Sequence, residues 1–208
     1  RGQGHQVHRL DLGGGLGISY DGAAPPDLDG YAAILADEIA PLECETIFEP
    51  GRFVIGNAGV LVTRIVRIKQ GMNRRFVIID AAMNDLLRPA LYDAHHHILS
   101  VIEPAGDAVL KDVDVVGPVC ETGDTFAEAR PLAPLETGDL LAICSAGAYG
   151  AVMASDYNTR PPAAEILVAG GDYAVIRPRL DVKEIIARDR SPSWLSASGG
   201  SGKGPVKR

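Results

Sequence analysis

The sequence is poor in the features that mark several large classes of protein. It has three cysteines in 208 residues, Cys44, Cys120 and Cys144. An odd number without C-x-x-C spacing offers neither a disulfide framework nor a zinc ribbon, and fits a reducing cytoplasm. No apolar run approaches the ~18 residues that a membrane-crossing helix needs, so no membrane association is expected. An excess of positive charge is also lacking: 20 Lys and Arg against 27 Asp and Glu leave a net charge of -7. That balance disfavours a broad phosphate-backbone interface with nucleic acid, while leaving room for a local basic pocket. Neither the G-x-G-x-x-G dinucleotide fingerprint nor the Walker pattern is met. There is no initiator methionine and no signal-peptide core. The chain begins Arg1-Gly2-Gln3-Gly4-His5, which reads as the middle of a longer sequence.

What is present divides into two textures. Val7 to Leu12 reads as a short strand running into Gly13-Gly14-Gly15-Leu16-Gly17. Consecutive glycines after a strand let backbone N–H groups crowd around one anion, although a flexible loop is the equal alternative. Asp27 to Asp29 offers N-caps, and Tyr31, Ile34, Leu35 and Ile39 recur at helical spacing over 30–40, before Pro41. Thr46 to Phe48 is a second short strand, leading into Glu49-Pro50-Gly51-Arg52. Together these predict a βαβ unit with both loops at strand C-termini, where parallel α/β folds place their ligands. Two strands and a helix cannot close a sheet, so residues 1–56 are expected to be the end of a larger α/β domain.

Beyond Gly56 the pattern becomes β-rich. Strands are expected at 60–68, 76–80, 97–102, 113–117, 140–144, 165–168 and 173–177, the last two flanking the hairpin signal Gly170-Gly171-Asp172. Seven short strands with turn signals predict an antiparallel barrel or sandwich over 57–190, with a closing helix at 181–189. Residues 191–208, rich in Ser and Gly, read as a disordered tail.

Several short stretches carry chemistry. In Glu49-Pro50-Gly51-Arg52, a tight turn projects an acid and a guanidinium together. Taken alone it reads first as a surface ion pair, with an anion-binding turn as the alternative. Arg88 and Tyr92 stand four apart, so a helical turn would bring both to one face, fit to hold a carboxylate, with a solvated Arg beside a core Tyr as the equal alternative. Cys120 and Glu121 sit in the loop Gly117-Pro118-Val119-Cys120-Glu121-Thr122-Gly123-Asp124. There the thiol could donate a proton, or could simply be a small buried side chain. Tyr149 stands among small residues in Ser145-Ala146-Gly147-Ala148-Tyr149-Gly150. His95-His96-His97 lacks a completing ligand at suitable spacing, so no metal site is expected there.

The order of these motifs is more specific than any one of them. Gly13-Gly14-Gly15, Glu49-Pro50-Gly51-Arg52, Arg88-Pro89-x-x-Tyr92, Gly117-Pro118-x-Cys120-Glu121, Ala148-Tyr149-Gly150 and Tyr157-Asn158-x-Arg160-Pro161 follow one another. The chain thereby resembles, from about residue 7 to 189, the diaminopimelate decarboxylase branch of the fold-type III, alanine-racemase-like decarboxylases that use pyridoxal 5'-phosphate. The Cys120 loop is its most specific part, and Glu121 with Thr122 tilts the resemblance toward diaminopimelate. It implies the end of a TIM-like, cofactor-binding α/β barrel followed by an antiparallel β domain. It further implies that Gly15, Glu49, Pro50, Gly51, Arg52 and Tyr149 contact the cofactor, with Glu49 on the pyridine nitrogen. Arg52, Arg88, Tyr92, Glu121 and Tyr149 would bind the substrate, and Cys120 would return the proton that replaces the departing carboxylate. The implied enzyme is a cytoplasmic homodimer with shared sites, making L-lysine and CO2 from meso-2,6-diaminopimelate. The resemblance also implies that the lysine holding the cofactor lies in an earlier barrel segment. None of Lys69, Lys111, Lys183, Lys203 and Lys207 matches its motif. The chain is therefore expected to be the C-terminal portion of such an enzyme. The alternatives are a carboxynorspermidine, arginine or ornithine decarboxylase, or a non-catalytic homologue serving as an interaction partner.

Overall fold

The computed structural model describes residues 2–196. The chain forms two compact units, Arg1–Ser155 and Asp156–Arg208.

The first unit opens with the expected βαβ arrangement. Strand β1 (Arg9–Asp11) and strand β2 (Glu45–Ile47) pair in parallel, Arg9 opposite Glu45. Between them lies helix α1 (Leu28–Ile34), continued by a π-helical turn over Leu35–Ile39. Asp27 caps α1, its carboxylate accepting from the Gly30 amide at 2.9 Å. Pro41 lies in a 3-10 turn that ends the segment, followed by Glu43 in the left-handed conformation. The chain beyond Glu49-Pro50 does not stay extended. Gly51–Ile55 is a short helix, α2.

The rest of the unit is a six-stranded sheet with β3 (Leu61–Gln70), β4 (Arg75–Ile79), β5 (Ile98–Ser100), β6 (Lys111–Val116), β7 (Thr125–Leu132) and β8 (Leu140–Ile143). Their spatial order is β5-β8-β3-β4-β6-β7. The sequence reading of a purely antiparallel domain is corrected here: β4 and β6 run parallel, Val77 opposite Val115, so the sheet is mixed. The long connection from residue 80 to 110 makes this geometrically feasible, because a parallel pair needs a crossover rather than a hairpin. It carries helix α3 (Arg88–Tyr92) and strand β5.

Strand β3 organises the sheet. Its first half pairs with β8 and its second with β4, and the register shifts between Ile65 and Arg67. Asp80 secures that bend by accepting from the Thr63 hydroxyl at 2.7 Å and the Arg64 amide at 2.8 Å. Alternation along the strands delivers Ile65, Val77, Ile79, Val115, Leu141 and Ile143 to one core, each at most 1% exposed. Full burial of an aliphatic side chain of this size contributes about 1.5–3 kcal/mol.

Strand β7 was not expected from the sequence. Pro131 and the left-handed Ala129 interrupt its period, and the β6–β7 register shifts twice. Asp114 supports the irregularity by accepting from the Ala129 amide at 2.8 Å.

The second unit holds the antiparallel hairpin of β9 (Glu165–Ala169) and β10 (Asp172–Arg177), turning at the left-handed Gly170. Helix α4 (Val182–Ile186) follows, with a capping box between Asp181 and Glu184. Of the expected tail, Ser193–Ser196 form one helical turn, α5, and residues 197–208 lie outside the described residues.

Candidate active site

The glycine run and the Glu49 turn, far apart in sequence, are joined in space. Leu12 N–H donates to the Ile47 carbonyl at 3.0 Å, and Glu49 N–H donates to the Gly13 carbonyl at 2.8 Å. The two loops approach so closely that a Cβ on Gly14 would lie 2.8 Å from the Glu49 carbonyl oxygen. Gly13 and Gly15 have φ of 65° and 75°, conformations that favour glycine, and space is open above both and above Gly51. The Gly13 amide is held by the Asp11 carboxylate at 2.8 Å. The result is a partly exposed floor of backbone, with the exposed Glu49 and the half-buried Arg52 in the adjoining loop.

Tyr149 reaches this region through its loop. Gly147 N–H donates to the Gly56 carbonyl at 3.0 Å, and Ala146 N–H to the Gly59 carbonyl at 2.8 Å. The backbones cross with no room for a side chain: a Cβ on Gly147 would lie 2.0 Å from the Ile55 carbonyl oxygen. Asn57 clasps the same crossing, its side-chain amide donating to Ser145 Oγ at 2.8 Å and to the Ser19 carbonyl at 2.9 Å. Tyr149 itself has φ of 59° and is 47% exposed. Gly13–Gly15, Glu49–Arg52 and the 145–150 loop therefore belong to one neighbourhood.

Arg88 and Tyr92 stand one helical turn apart on α3 but differ in burial. Arg88 is buried, whereas Tyr92 is 62% exposed at the other end of α3. Arg88 meets Tyr20 instead: Nη1 donates to the Tyr20 hydroxyl, and Cζ lies 4.7 Å from the ring centroid. The Tyr20 ring stands edge-on to His96, with centroids 5.3 Å apart. His96 is fully buried, with Nδ1 2.9 Å from the Cys144 carbonyl oxygen. Burial, helped by the nearby Arg88 charge, pushes the His96 pKa down, and a neutral ring follows. His96 is thus a packing residue, and His95 lies against Arg130. Among the described residues no group of three His, Cys, Asp or Glu is placed to hold a metal.

Cys120 and Glu121 are exposed on a loop whose base is tightly tied. The buried Asp124 carboxylate accepts from the Met83 amide at 2.7 Å and the Val119 amide at 2.8 Å. Its carbonyl accepts from the Gly117 amide at 2.8 Å. A Cβ on Gly117 would lie 2.2 Å from Asp124 Oδ2, which explains glycine there. The Glu121 carboxylate accepts from the Gly123 amide at 3.2 Å. The loop borders α3 across a cleft of about 580 Å³ lined by Pro89, Ala90, Thr122 and Gly123. Among the described residues, no hydrogen bond or ion pair joins Cys120 or Glu121 to the Glu49–Tyr149 neighbourhood.

Tyr20, Asn57 and Asp124 were not among the residues singled out from sequence. Their partners lie 68, 88 and 41 positions away, so only the tertiary fold exposes their roles. The sole local hint was the Gly117-to-Asp124 spacing of a closed loop.

Comparison with known proteins places this geometry in a family. The family model of the pyridoxal-dependent decarboxylase C-terminal sheet domain matches residues 20–147, and the chain belongs to that family. Among individual relatives, it is 48% identical to a diaminopimelate decarboxylase of Zymomonas mobilis over 92% of its own length. It is 50% identical to one of Neisseria meningitidis over 90% of its length. It covers 45% of each, so the chain spans about half the length of the curated relatives it matches. The solved diaminopimelate decarboxylase of Helicobacter pylori, complexed with L-lysine, superposes with a TM-score of 0.81 at 38% identity, covering 95% of this chain and 47% of that one. A lysine/ornithine decarboxylase of Vibrio vulnificus shares the fold alone, at TM-score 0.64 and 24% identity over 73% of this chain and 40% of that one.

Proposed function

We propose that this chain forms the C-terminal part of a diaminopimelate decarboxylase, a pyridoxal-phosphate-dependent carboxy-lyase that releases CO2 from meso-2,6-diaminopimelate and yields L-lysine. The observation that carries this is the contrast in similarity. Among solved structures, identity is 38% over 95% of the chain to a diaminopimelate decarboxylase, against 24% over 73% to a lysine/ornithine decarboxylase. Residues 1–56 then belong to the end of the cofactor-binding barrel, and the residues from 57 to 190 to the β domain.

The residues fit the cofactor. Gly13 and Gly15 hold open, left-handed backbone against the Glu49 loop, a surface on which a phosphate can rest without meeting a side chain. In this reading Gly15 and Pro50-Gly51-Arg52 hold that phosphate. Glu49 keeps a proton on the pyridine nitrogen. Pyridoxal phosphate, once bound, supplies the electron sink that lets a carboxylate depart as CO2. Arg52, Arg88 and Tyr92 grip the substrate's distal carboxylate, and Tyr149 borders both cofactor and substrate. Cys120 Sγ holds the proton that takes the place of the lost carboxylate, and Glu121 pairs with the distal ammonium. The family resemblance assigns Cys120 and Glu121 to the site of a second subunit in a homodimer, and their exposure agrees with it. Lys69 and Lys111 lie on strands of the sheet and Lys183 on α4, and none of them is assigned as the lysine that holds the cofactor. A cytoplasmic setting agrees with the free thiols of Cys120 and Cys144.

The test is CO2 release from meso-diaminopimelate by the full-length enzyme with added pyridoxal phosphate. Cys120→Ala is expected to lower kcat by ~10²-fold or more, the usual effect of losing a positioned proton donor. Wild-type turnover in that variant would remove Cys120 from the mechanism.

A further inference from the structure

Arg88 is only 8% exposed, yet it forms no ion pair among the described residues. A buried cation without a counter-ion is costly to maintain. What it has instead is Tyr20: one hydrogen bond from Nη1 to the hydroxyl, and a ring 4.7 Å from the guanidinium carbon. A phenol orients a guanidinium and, through its ring, partly offsets its desolvation, but it does not neutralise the charge. A carboxylate at position 20 would neutralise it and compete with any incoming anion.

Tyr20 is itself fixed on several sides. Its carbonyl accepts from the His97 amide at 3.1 Å, and its ring stands at 80° to that of the buried His96. His96 is locked to the Cys144 carbonyl. The preceding Ser19 carbonyl is bound by the side chain of Asn57. Tyr20 is therefore a rigid post between the end of the glycine-rich segment and the first residue of α3.

We propose that Tyr20 is the positioning residue that sets the Arg88 guanidinium for the distal carboxylate of the substrate. Holding Nη1 fixes the plane of the fork and leaves Nη2 and Nε for a paired contact with a carboxylate. The proposal rests on the reading of Arg88 as the carboxylate grip of a diaminopimelate decarboxylase. It adds the reason why that arginine is held in one orientation, without an ion-pair partner among the described residues, before substrate arrives.

The experiment is steady-state kinetics of full-length Tyr20→Phe holoenzyme with meso-diaminopimelate, with L-lysine and cadaverine as inhibitors. Tyr20→Phe keeps the ring and deletes the hydroxyl. The expected result is a KM increase of ~10-fold with kcat within about twofold, the scale of one hydrogen bond to a charged group. L-lysine keeps the distal carboxylate and is expected to weaken as an inhibitor by the same factor. Cadaverine lacks it and is expected to be unaffected. An unchanged KM and lysine inhibition in an enzyme whose wild type is active would overturn the role of Tyr20. Equal weakening of lysine and cadaverine would also overturn it, because that marks general damage to the site. Absence of CO2 release by the wild type would instead reject the functional reading beneath it.

Discussion

Replacing Asp124 tests how the Cys120 loop is held. The residue is 3% exposed, and its carboxylate accepts from two backbone amides, Met83 at 2.7 Å and Val119 at 2.8 Å. Hydrogen bonds to a charged acceptor contribute about 1.5–3 kcal/mol each, so Asp124→Ala removes about 3–6 kcal/mol before relaxation. Water entering the vacated polar space recovers part of this, leaving about 3 kcal/mol. That corresponds to a ~100-fold fall in the protection of both amides when exchange proceeds through local opening. Hydrogen–deuterium exchange of the full-length protein, resolved to Met83 and Val119, reads it directly. Asp124→Asn keeps one acceptor oxygen and is expected to lose protection at only one of the two amides. Wild-type protection at both positions in Asp124→Ala would show that the clasp does not hold the loop. Turnover is expected to fall along with protection although Cys120 is untouched, because a loop released at its base no longer fixes the thiol.

Three further outcomes follow from the geometry. Gly147→Ala would force a Cβ to 2.0 Å from the Ile55 carbonyl oxygen. It is expected to destabilise the chain by about 2–3 kcal/mol, seen in thermal unfolding, and to weaken cofactor binding by displacing the Tyr149 loop. Arg88→Lys is expected to raise KM for the substrate by ~10-fold or more, since an ammonium cannot replace a fixed planar fork. His96 has its pKa lowered by burial, so the unfolded state takes up its proton more readily than the folded one. Its stabilising contribution is complete above the ordinary histidine value. It is lost as pH falls through that value toward the lowered folded one. Unfolding measured from pH 7 to 5 should therefore be less pH-dependent in His96→Gln than in wild type.

The parts legible in the sequence were those governed by local patterns. The Asp27 cap and the spacing of Tyr31, Ile34 and Leu35 announce α1, and the glycine run and the Glu49 turn announce the two loops that meet. The β-branched runs at 60–68 and 76–80 mark β3 and β4 because alternation there serves one buried face. Strand β7 was illegible because Pro131 and Ala129 break its period, and a buried aspartate repairs the break from another strand. The parallel pairing of β4 with β6 depends on the path of the intervening chain, which no window of residues encodes. Arg88 and Tyr92 illustrate a further limit. Four-residue spacing sets them one turn apart on a helix, but it does not show that Arg88 is buried and bonded to Tyr20, 68 positions earlier.

This fold is proposed to serve a decarboxylase that selects a substrate with a distal carboxylate. The most direct test is the ratio of kcat/KM for meso-diaminopimelate to those for ornithine and arginine, measured on the full-length enzyme with pyridoxal phosphate. A buried Arg88 left without its anion should reject substrates lacking that carboxylate by a factor of ~10⁴. Comparable rates with ornithine or arginine, or no CO2 from meso-diaminopimelate, would contradict the claim.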